Sequence, residues 1–188
     1  LHSFPTRRSS DLHIDQQALE AFGRGDRTRA FTLIDELRRD HPDSPYRDQA
    51  ELAAARAHVD MTELDKAAER LRFVMDDTED RELALVARLR LARVQIAQNR
   101  SDDALATLDV QDAGAFKPRY HEVRGDALYA KGDRAGALKE YQAARVGDVA
   151  AVVDTALLDL KINDLLPPGQ PRAPADPKAA ANPARPST

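Results

Sequence analysis

The side chains that could carry out chemistry are few in this sequence, and their spacing does not suit a reaction. The chain has 188 residues, with five histidines and no cysteine. No two histidines stand four residues apart, so the helical spacing that lets two imidazoles hold one zinc ion is absent. The sequence also lacks a GxSxG elbow, a phosphate-binding loop and a cysteine nucleophile. We therefore expect a protein that is not an enzyme, with no catalytic residue, metal or cofactor.

Two local features resemble ligand sites but lack essential parts of them. Gly23-Arg24-Gly25 has neither the later glycine nor the preceding strand of a dinucleotide site, and a turn between two helices explains it. The acidic run at 76–80 has neither the central glycine nor the terminal glutamate of a calcium loop. We interpret this run as helix capping and solvation.

Protein binding is the chemistry that the remaining polar residues can offer. Arginine and tyrosine are enriched where proteins bind proteins. In a stack of helical hairpins the first helix of each pair lines a groove, and the predicted groove side carries Arg56, Arg90, Arg93, Arg119, Glu122, Asp126 and Tyr129. For each residue singly, an ordinary solvated helix face is the alternative. No lysine and asparagine arrangement suits a peptide carboxylate, which disfavours capture of a free C-terminus.

The groove requires helical hairpins, and the stretch 120–148 shows the clearest one. Gly125 lies on its first helix and the residues KGD at 131–133 form its turn. Ala137 and Tyr141 follow at a spacing of four, which places both on one face of the second helix. Small residues let two helix axes come close, and the tyrosine fills the space beside them. This pattern resembles a tetratricopeptide repeat.

The same signature recurs along the chain. An alanine follows the turn at residues 30, 67, 104 and 137, with separations of 37, 37 and 33 residues, near the period of roughly 34 for this repeat class. The residue four positions after each alanine is large: Ile34, Leu71, Leu108 and Tyr141. A small residue lies on each preceding helix: Ala18, Ala55, Ala92 and Gly125. These copies predict an all-α, tetratricopeptide-repeat-like solenoid of about four hairpins with a C-terminal capping helix.

Composition agrees with a helical protein and limits its partners. Charged residues make up 32% of the chain and hydrophobic ones 42%, much of them alanine, and there is no tryptophan. This is a helical profile rather than that of a sheet protein. The net charge of −4 disfavours a nucleic-acid partner, which would require a basic stripe. The lack of cysteine is compatible with an oxidising compartment.

The chain divides into three parts. Residues 1–11 begin without methionine, lack helical periodicity and resemble a translated sequencing adapter, so we expect them to lie outside the fold. Residues 12–166 carry the periodicity and form the predicted repeat domain. Residues 167–188 hold seven of the eleven prolines and no apolar face, a composition that predicts disorder.

Capping residues predict where the helices begin. The first helix is expected to start near Leu12, and Ser44 and Thr62 are expected to cap the third and fourth helices. The last helix is predicted over 149–165, capped by Asp148. Its predicted buried face consists of Val152, Val153, Leu157, Leu160 and Ile162.

A more specific resemblance rests on several segments in a fixed order. They are ELAAARAHVDMTELDKAAERL at 51–71, LRLARVQIAQNRSDDALATLD at 89–109, RGDALYAKGDRAGALKEYQAA at 124–144 and LLDLKINDL at 157–165. Together they are similar to the YfgM family, the ancillary subunit of the bacterial SecYEG translocon, and the similarity extends over about 12–165.

The resemblance implies partners and a location. Members of this family have one span in the inner membrane, a short cytoplasmic N-terminus and a repeat domain in the periplasm. They associate with the SecYEG translocon and with a membrane-anchored periplasmic prolyl isomerase chaperone. This sequence has no run of about 20 apolar residues that could form the span. We expect the anchor to be missing through truncation at the adapter-like segment, and the tail at 167–188 is an unassigned extension.

Two functions follow as hypotheses. The first is a non-catalytic protein–protein interaction module, an ancillary SecYEG subunit that links the translocon to periplasmic chaperones during protein export. The alternative is a soluble or lipid-anchored repeat scaffold that coordinates cell-wall or outer-membrane assembly. An apolar helix just upstream of Leu12 in the complete gene would favour the first, and a cleavable signal peptide would favour the second.

Overall fold

The structure is a computed structural model that describes residues 4–146, 153–167 and 169, with side chains from residue 10 onward. Within these residues all regular elements are helical. They are α1 (Phe4–Gly23), α2 (Arg27–Asp40), α3 (Arg47–Asp60), α4 (Leu64–Asp77), α5 (Arg81–Ala97), α6 (Ser101–Thr107), α7 (Lys117–Ala130), α8 (Arg134–Ala144) and α9 (Thr155–Leu165), with a short 3₁₀ helix, Gly114–Phe116, before α7. The all-α fold class predicted from the sequence is confirmed.

The repeat positions predicted from the sequence are buried. The small residues of the first helices lie in the core: Ala18, Ala55, Ala92 and Gly125. So do the alanines that follow the turns: Ala30, Ala67, Ala104 and Ala137. The large residues one turn later are buried as well: Ile34, Leu71, Leu108 and Tyr141. A position that must be small recurs because neighbouring helices meet there.

Helices α1 to α5 form one compact unit and helices α6 to α9 form a second. In the first unit, α3 is packed on two sides. Ala50 and Ala54 join a core with residues of α1 and α2, whereas Leu52 and Ala55 join a core with residues of α4 and α5. Because alanine side chains are short, α3 can lie close to both neighbours.

A buried ion cluster links α2, α3 and α4. The Glu51 side chain is fully buried, and its two carboxylate oxygens lie 3.2 and 3.3 Å from Nη1 of Arg70. The same nitrogen lies 2.6 Å from Asp35, and Arg38 approaches Glu51 at 3.9 Å. Burial raises the pKa of Glu51 above its usual range, although both arginines oppose this change.

The second unit is built on the hairpin of α7 and α8. Gly132 in its turn has a φ of 84°, a conformation that glycine adopts without steric cost. Asp133 then caps α8 by accepting a hydrogen bond of 2.8 Å from the backbone N–H of Gly136. Helix α9 packs Leu158 and Ile162 into the core that also contains Tyr141.

Several predicted helix starts were wrong. Helix α1 begins at Phe4, well before Leu12, since nothing between Pro5 in its first turn and Gly23 breaks a helix once it is formed. Helix α3 begins at Arg47, and Ser44 Oγ accepts a hydrogen bond from the backbone of Tyr46 in the preceding turn. Thr62 does not cap α4, because its φ of 61° places it in the left-handed region.

The predicted burial of the last helix was partly wrong. The predicted cap Asp148 and residue Val152 lie outside the described residues. In the described part, Asp154 caps α9 by accepting a hydrogen bond from Leu157 N–H. Val153 and Ile162 are buried as predicted, but Leu157 and Leu160 are exposed and Leu158 is buried in their place. The cap at Asp154 fixes a later start, and the buried face of this short helix is the one that meets α8.

We predict that Gly125→Val lowers the free energy of unfolding by about 1–3 kcal/mol. A Cβ at Gly125 would overlap the ring of Tyr141. This ring cannot turn away freely, because its hydroxyl donates a hydrogen bond of 2.8 Å to Asp126. Urea denaturation followed by circular dichroism measures the loss. If the overlap is the cause, the loss will be smaller in a Tyr141→Leu background, and an equal loss in both backgrounds would contradict this explanation.

Candidate protein-binding surfaces

The first unit contains an open groove of about 740 Å³ between α3 and α5. We call it the arginine groove. Its lining comes from one stripe of α3, one stripe of α5 and two leucines of α4: Gln49, Leu52, Ala53, Ala55, Arg56, Val59 and Asp60; Arg90, Arg93, Val94 and Ala97; Leu64 and Leu71. Residues three and four apart share a helix face, so each stripe follows directly from the sequence. The volume lies in the range typical of ligand pockets.

The floor of the arginine groove is apolar. Leu52, Leu71 and Val94 are buried members of the core formed by α3, α4 and α5, and Leu64 packs against that core. At the edge of the groove Val59 is 38% exposed. Because Leu52, Leu71 and Val94 are already buried, the apolar surface that a partner could cover lies on Val59, Leu64 and Ala97. Removing such surface from water is the main favourable term in protein association.

The rim of the arginine groove is positively charged. Arg56 forms an ion pair of 3.0 Å with Asp60 on the same helix, and 76% of its side chain is exposed. Arg90 and Arg93 are exposed on α5, one turn apart. Arg90 makes no hydrogen bond or ion pair to any residue that the structure describes. Among the described lining residues there are three arginines and one aspartate, on a chain whose net charge is −4.

In the second unit, two of the predicted groove residues stabilise the fold. Lys161 of α9 donates a hydrogen bond of 3.1 Å to Glu122 and one of 2.8 Å to Asp126, both on α7. Glu122 is buried, and Arg119 approaches it at 3.5 Å. Burial, the charge of Asp126 and the hydrogen bond to it raise the pKa of Tyr141. Glu122 and Asp126 therefore hold α9 against α7.

Among the four predicted groove residues of the second unit, Tyr129 has the largest exposed surface. It is 46% exposed, and the guanidinium of Arg134 lies 5.7 Å from the centre of its ring. Its aromatic ring suits a protein contact. Of the predicted residues, the structure thus brings Arg56, Arg90 and Arg93 together on the arginine groove, and places Tyr129 on the surface of the second unit.

Two polar sites were missed in the sequence. Lys161 reaches Glu122 over 39 residues of chain, and no local spacing indicates such a pair. The sequence does contain an indication that Glu51 is buried, because this residue precedes Ala54, Ala55 and His58 by three, four and seven positions. It therefore lies on the buried face of α3, where a carboxylate requires a partner.

Neither a metal-binding cluster nor a membrane-spanning helix is found among the described residues. Among them no three histidine, aspartate or glutamate side chains are arranged to hold a metal ion. Within the part of the chain that has a described structure, none of the helices combines the length and the apolar character needed to cross a bilayer.

Comparison with known proteins places this architecture in a family. A family model described as a tetratricopeptide repeat-like domain matches residues 7–166. Curated relatives named "Ancillary SecYEG translocon subunit" include proteins of Escherichia coli K12, 39% identical over 62% of this chain, and of Neisseria gonorrhoeae, 31% identical over 70%. A third, from Aggregatibacter actinomycetemcomitans, is 31% identical over 61% of the chain.

The match covers only part of each relative. The chain spans 56%, 63% and 55% of the length of these proteins, in the order given. The family model, by contrast, covers most of this chain, and the three relatives agree with the resemblance found in the sequence. The chain belongs to the tetratricopeptide repeat-like family whose model matches it.

Proposed function

We propose that this chain is a non-catalytic protein-binding module that serves as an ancillary subunit of the SecYEG translocon. The names of the three curated relatives support the translocon as the partner. The observation that carries the binding role is the arginine groove, a surface with an apolar floor and a charged rim. Protein interfaces combine these two features, with arginine enriched at them.

The helical framework suits this role. In the first unit, α3 is anchored in two cores, so the groove wall that it forms is rigid. A rigid surface loses little conformational entropy when a partner binds, which favours affinity. The arginine side chains on it remain exposed and able to adjust.

The proposal includes a second partner and a location. We propose that the module links the translocon to a membrane-anchored periplasmic prolyl isomerase chaperone, and that it lies in the periplasm, held at the inner membrane by an N-terminal anchor. The resemblance to the YfgM family supports this arrangement. The absence of cysteine from the chain is compatible with the oxidising periplasm.

Copurification from membranes tests this function. The complete protein encoded by the gene would be tagged, expressed at its native level and isolated in mild detergent. We expect translocon subunits and the prolyl isomerase to copurify in amounts comparable with the tagged protein. The control is an unrelated tagged periplasmic protein of similar size.

The outcome also separates the two hypotheses drawn from the sequence. Recovery of neither the translocon nor the isomerase above the control would refute the proposed function. If proteins of cell-wall synthesis or outer-membrane assembly were recovered in their place, the envelope scaffold would replace it.

A further inference from the structure

We propose that the arginine groove binds an acidic segment of a partner protein, with carboxylates at its arginine rim and apolar side chains on its floor. This inference rests on the proposed function as a protein-binding module, and it specifies the chemistry of the bound partner. It concerns the first unit alone, where α3, α4 and α5 supply every lining residue.

The charges at the rim favour a carboxylate partner. Arg90 makes no ion pair with a described residue. Its guanidinium can therefore donate hydrogen bonds to a partner's carboxylate without breaking an existing ion pair. Arg56 is mostly exposed, and Asp60 is its one ion-pair partner among the residues with a described structure. A guanidinium offers a planar fork of N–H donors that matches a carboxylate in two parallel hydrogen bonds.

The placement of two arginines on different helices favours more than one carboxylate. Arg90 stands on α5, at one wall of the groove. Arg56 stands on α3, at the opposite wall of the groove. A segment that lies between the two helices thus meets positive charge on both sides.

The floor distinguishes a protein segment from a nucleic acid. The accessible apolar residues of the groove, Val59, Leu64 and Ala97, are aliphatic, and no aromatic side chain is among the described residues that line it. Proteins that bind single-stranded nucleic acids stack bases on aromatic rings. Aliphatic side chains of a peptide would instead bury apolar area against these three residues.

A peptide selection tests the inference without assuming a particular partner. A random library of short peptides displayed on phage would be selected on the complete chain, and the consensus peptides would be synthesised with a fluorescent label. We expect a consensus of at least two acidic residues next to leucine, isoleucine, valine or phenylalanine. Fluorescence anisotropy then gives the affinity for each variant.

Charge reversal at the rim is the decisive variant. Arg90→Glu should weaken binding of the consensus peptide by about tenfold or more, because it removes a charge-assisted hydrogen bond and adds repulsion. Arg90→Gln should weaken it less. Lys139→Glu, at an exposed position on α8 of the second unit, changes the net charge equally and should leave the affinity unchanged. Raising the salt concentration should weaken binding to the wild type more than to Arg90→Glu.

Several results would overturn the inference. They are the absence of any consensus, a consensus without acidic residues, and equal affinity for the wild type and Arg90→Glu when circular dichroism shows both folded. Binding to anionic phospholipid vesicles that depends on Arg90, with no acidic peptide selected, would replace the protein segment by a membrane surface. Because copurification of the translocon is measured separately, loss of this inference would leave the proposed function standing, and the two failures are distinguishable.

Discussion

Arg70→Ala is expected to lower the free energy of unfolding by about 3–5 kcal/mol near neutral pH. The substitution removes the guanidinium that contacts both carboxylate oxygens of Glu51 at 3.2 and 3.3 Å. Glu51 is then left fully buried with Arg38 at 3.9 Å as its remaining charged partner. A buried charge that has lost its main partner is among the costliest defects in a protein interior.

The loss caused by Arg70→Ala should shrink as the pH falls from about 7 to about 5. Burial already raises the pKa of Glu51 above its ordinary value of 4.5, and removal of Arg70 raises it further. Between the ordinary and the raised pKa, the folded state binds a proton that the unfolded state releases. Stability in this window therefore increases as the pH falls, and it increases more in the variant than in the wild type.

Urea denaturation at both pH values measures this difference, and hydrogen exchange of the α3 amides would locate it in the first unit. Asp35→Ala serves as the control, since it removes the exposed partner of Arg70 and should cost less than about 1 kcal/mol. A loss from Arg70→Ala that does not change with pH, or an equal loss from Asp35→Ala, would contradict the description of Glu51 as a buried carboxylate neutralised by Arg70.

Leu71→Ala is expected to lower the free energy of unfolding by about 2–5 kcal/mol. Leu71 is 1% exposed and packs in the core with Leu52, Val74 and Leu91. The smaller side chain gives up buried apolar area and leaves a cavity that the surrounding helices can close only in part.

A conservative substitution at the same position supplies the control. Leu71→Met nearly conserves volume and should cost less than about 1.5 kcal/mol. Urea denaturation of both variants gives the comparison. If Leu71→Ala were as stable as Leu71→Met, then the predicted repeat position at Leu71 would not be a site of tight packing.

The buried repeat positions could be predicted because they depend on local spacing. Ala30, Ala67, Ala104 and Ala137 recur near the expected period, and each is fully buried. A residue that must be small at a helix crossing leaves a mark in the sequence whatever else surrounds it. Several copies in phase then make the helical-hairpin fold readable from one chain.

The remaining features depend on groups that are distant in sequence. Arg70 is 19 residues from Glu51, and Lys161 is 39 residues from Glu122, so neither contact has a local spacing. For the same reason Glu122 was assigned to the groove, although it lies buried against α9. The buried face of α9 was misassigned because a short helix rich in leucine has more than one apolar face.

The arginine rim of the groove could be predicted from helical periodicity, whereas its apolar floor could not. Arg90 and Arg93 were placed on one side of α5 by their spacing, and the structure sets them opposite Arg56 on the arginine groove. The apolar floor below them was not predicted, since it requires α4 to lie between α3 and α5. The contribution of Leu71 to this floor shows that the repeat core and the candidate surface share residues.

The most direct test of the central claim is site-specific photocrosslinking in membranes. A photoreactive phenylalanine analogue would replace Val59, which lines the arginine groove, and in a matched variant Val146, which is 76% exposed on the second unit. We predict that position 59 crosslinks to a translocon subunit or to the prolyl isomerase and that position 146 does not. Equal crosslinking from both positions, or crosslinks from position 59 only to proteins of cell-wall or outer-membrane assembly, would contradict the assignment of the arginine groove as the surface that binds the export machinery.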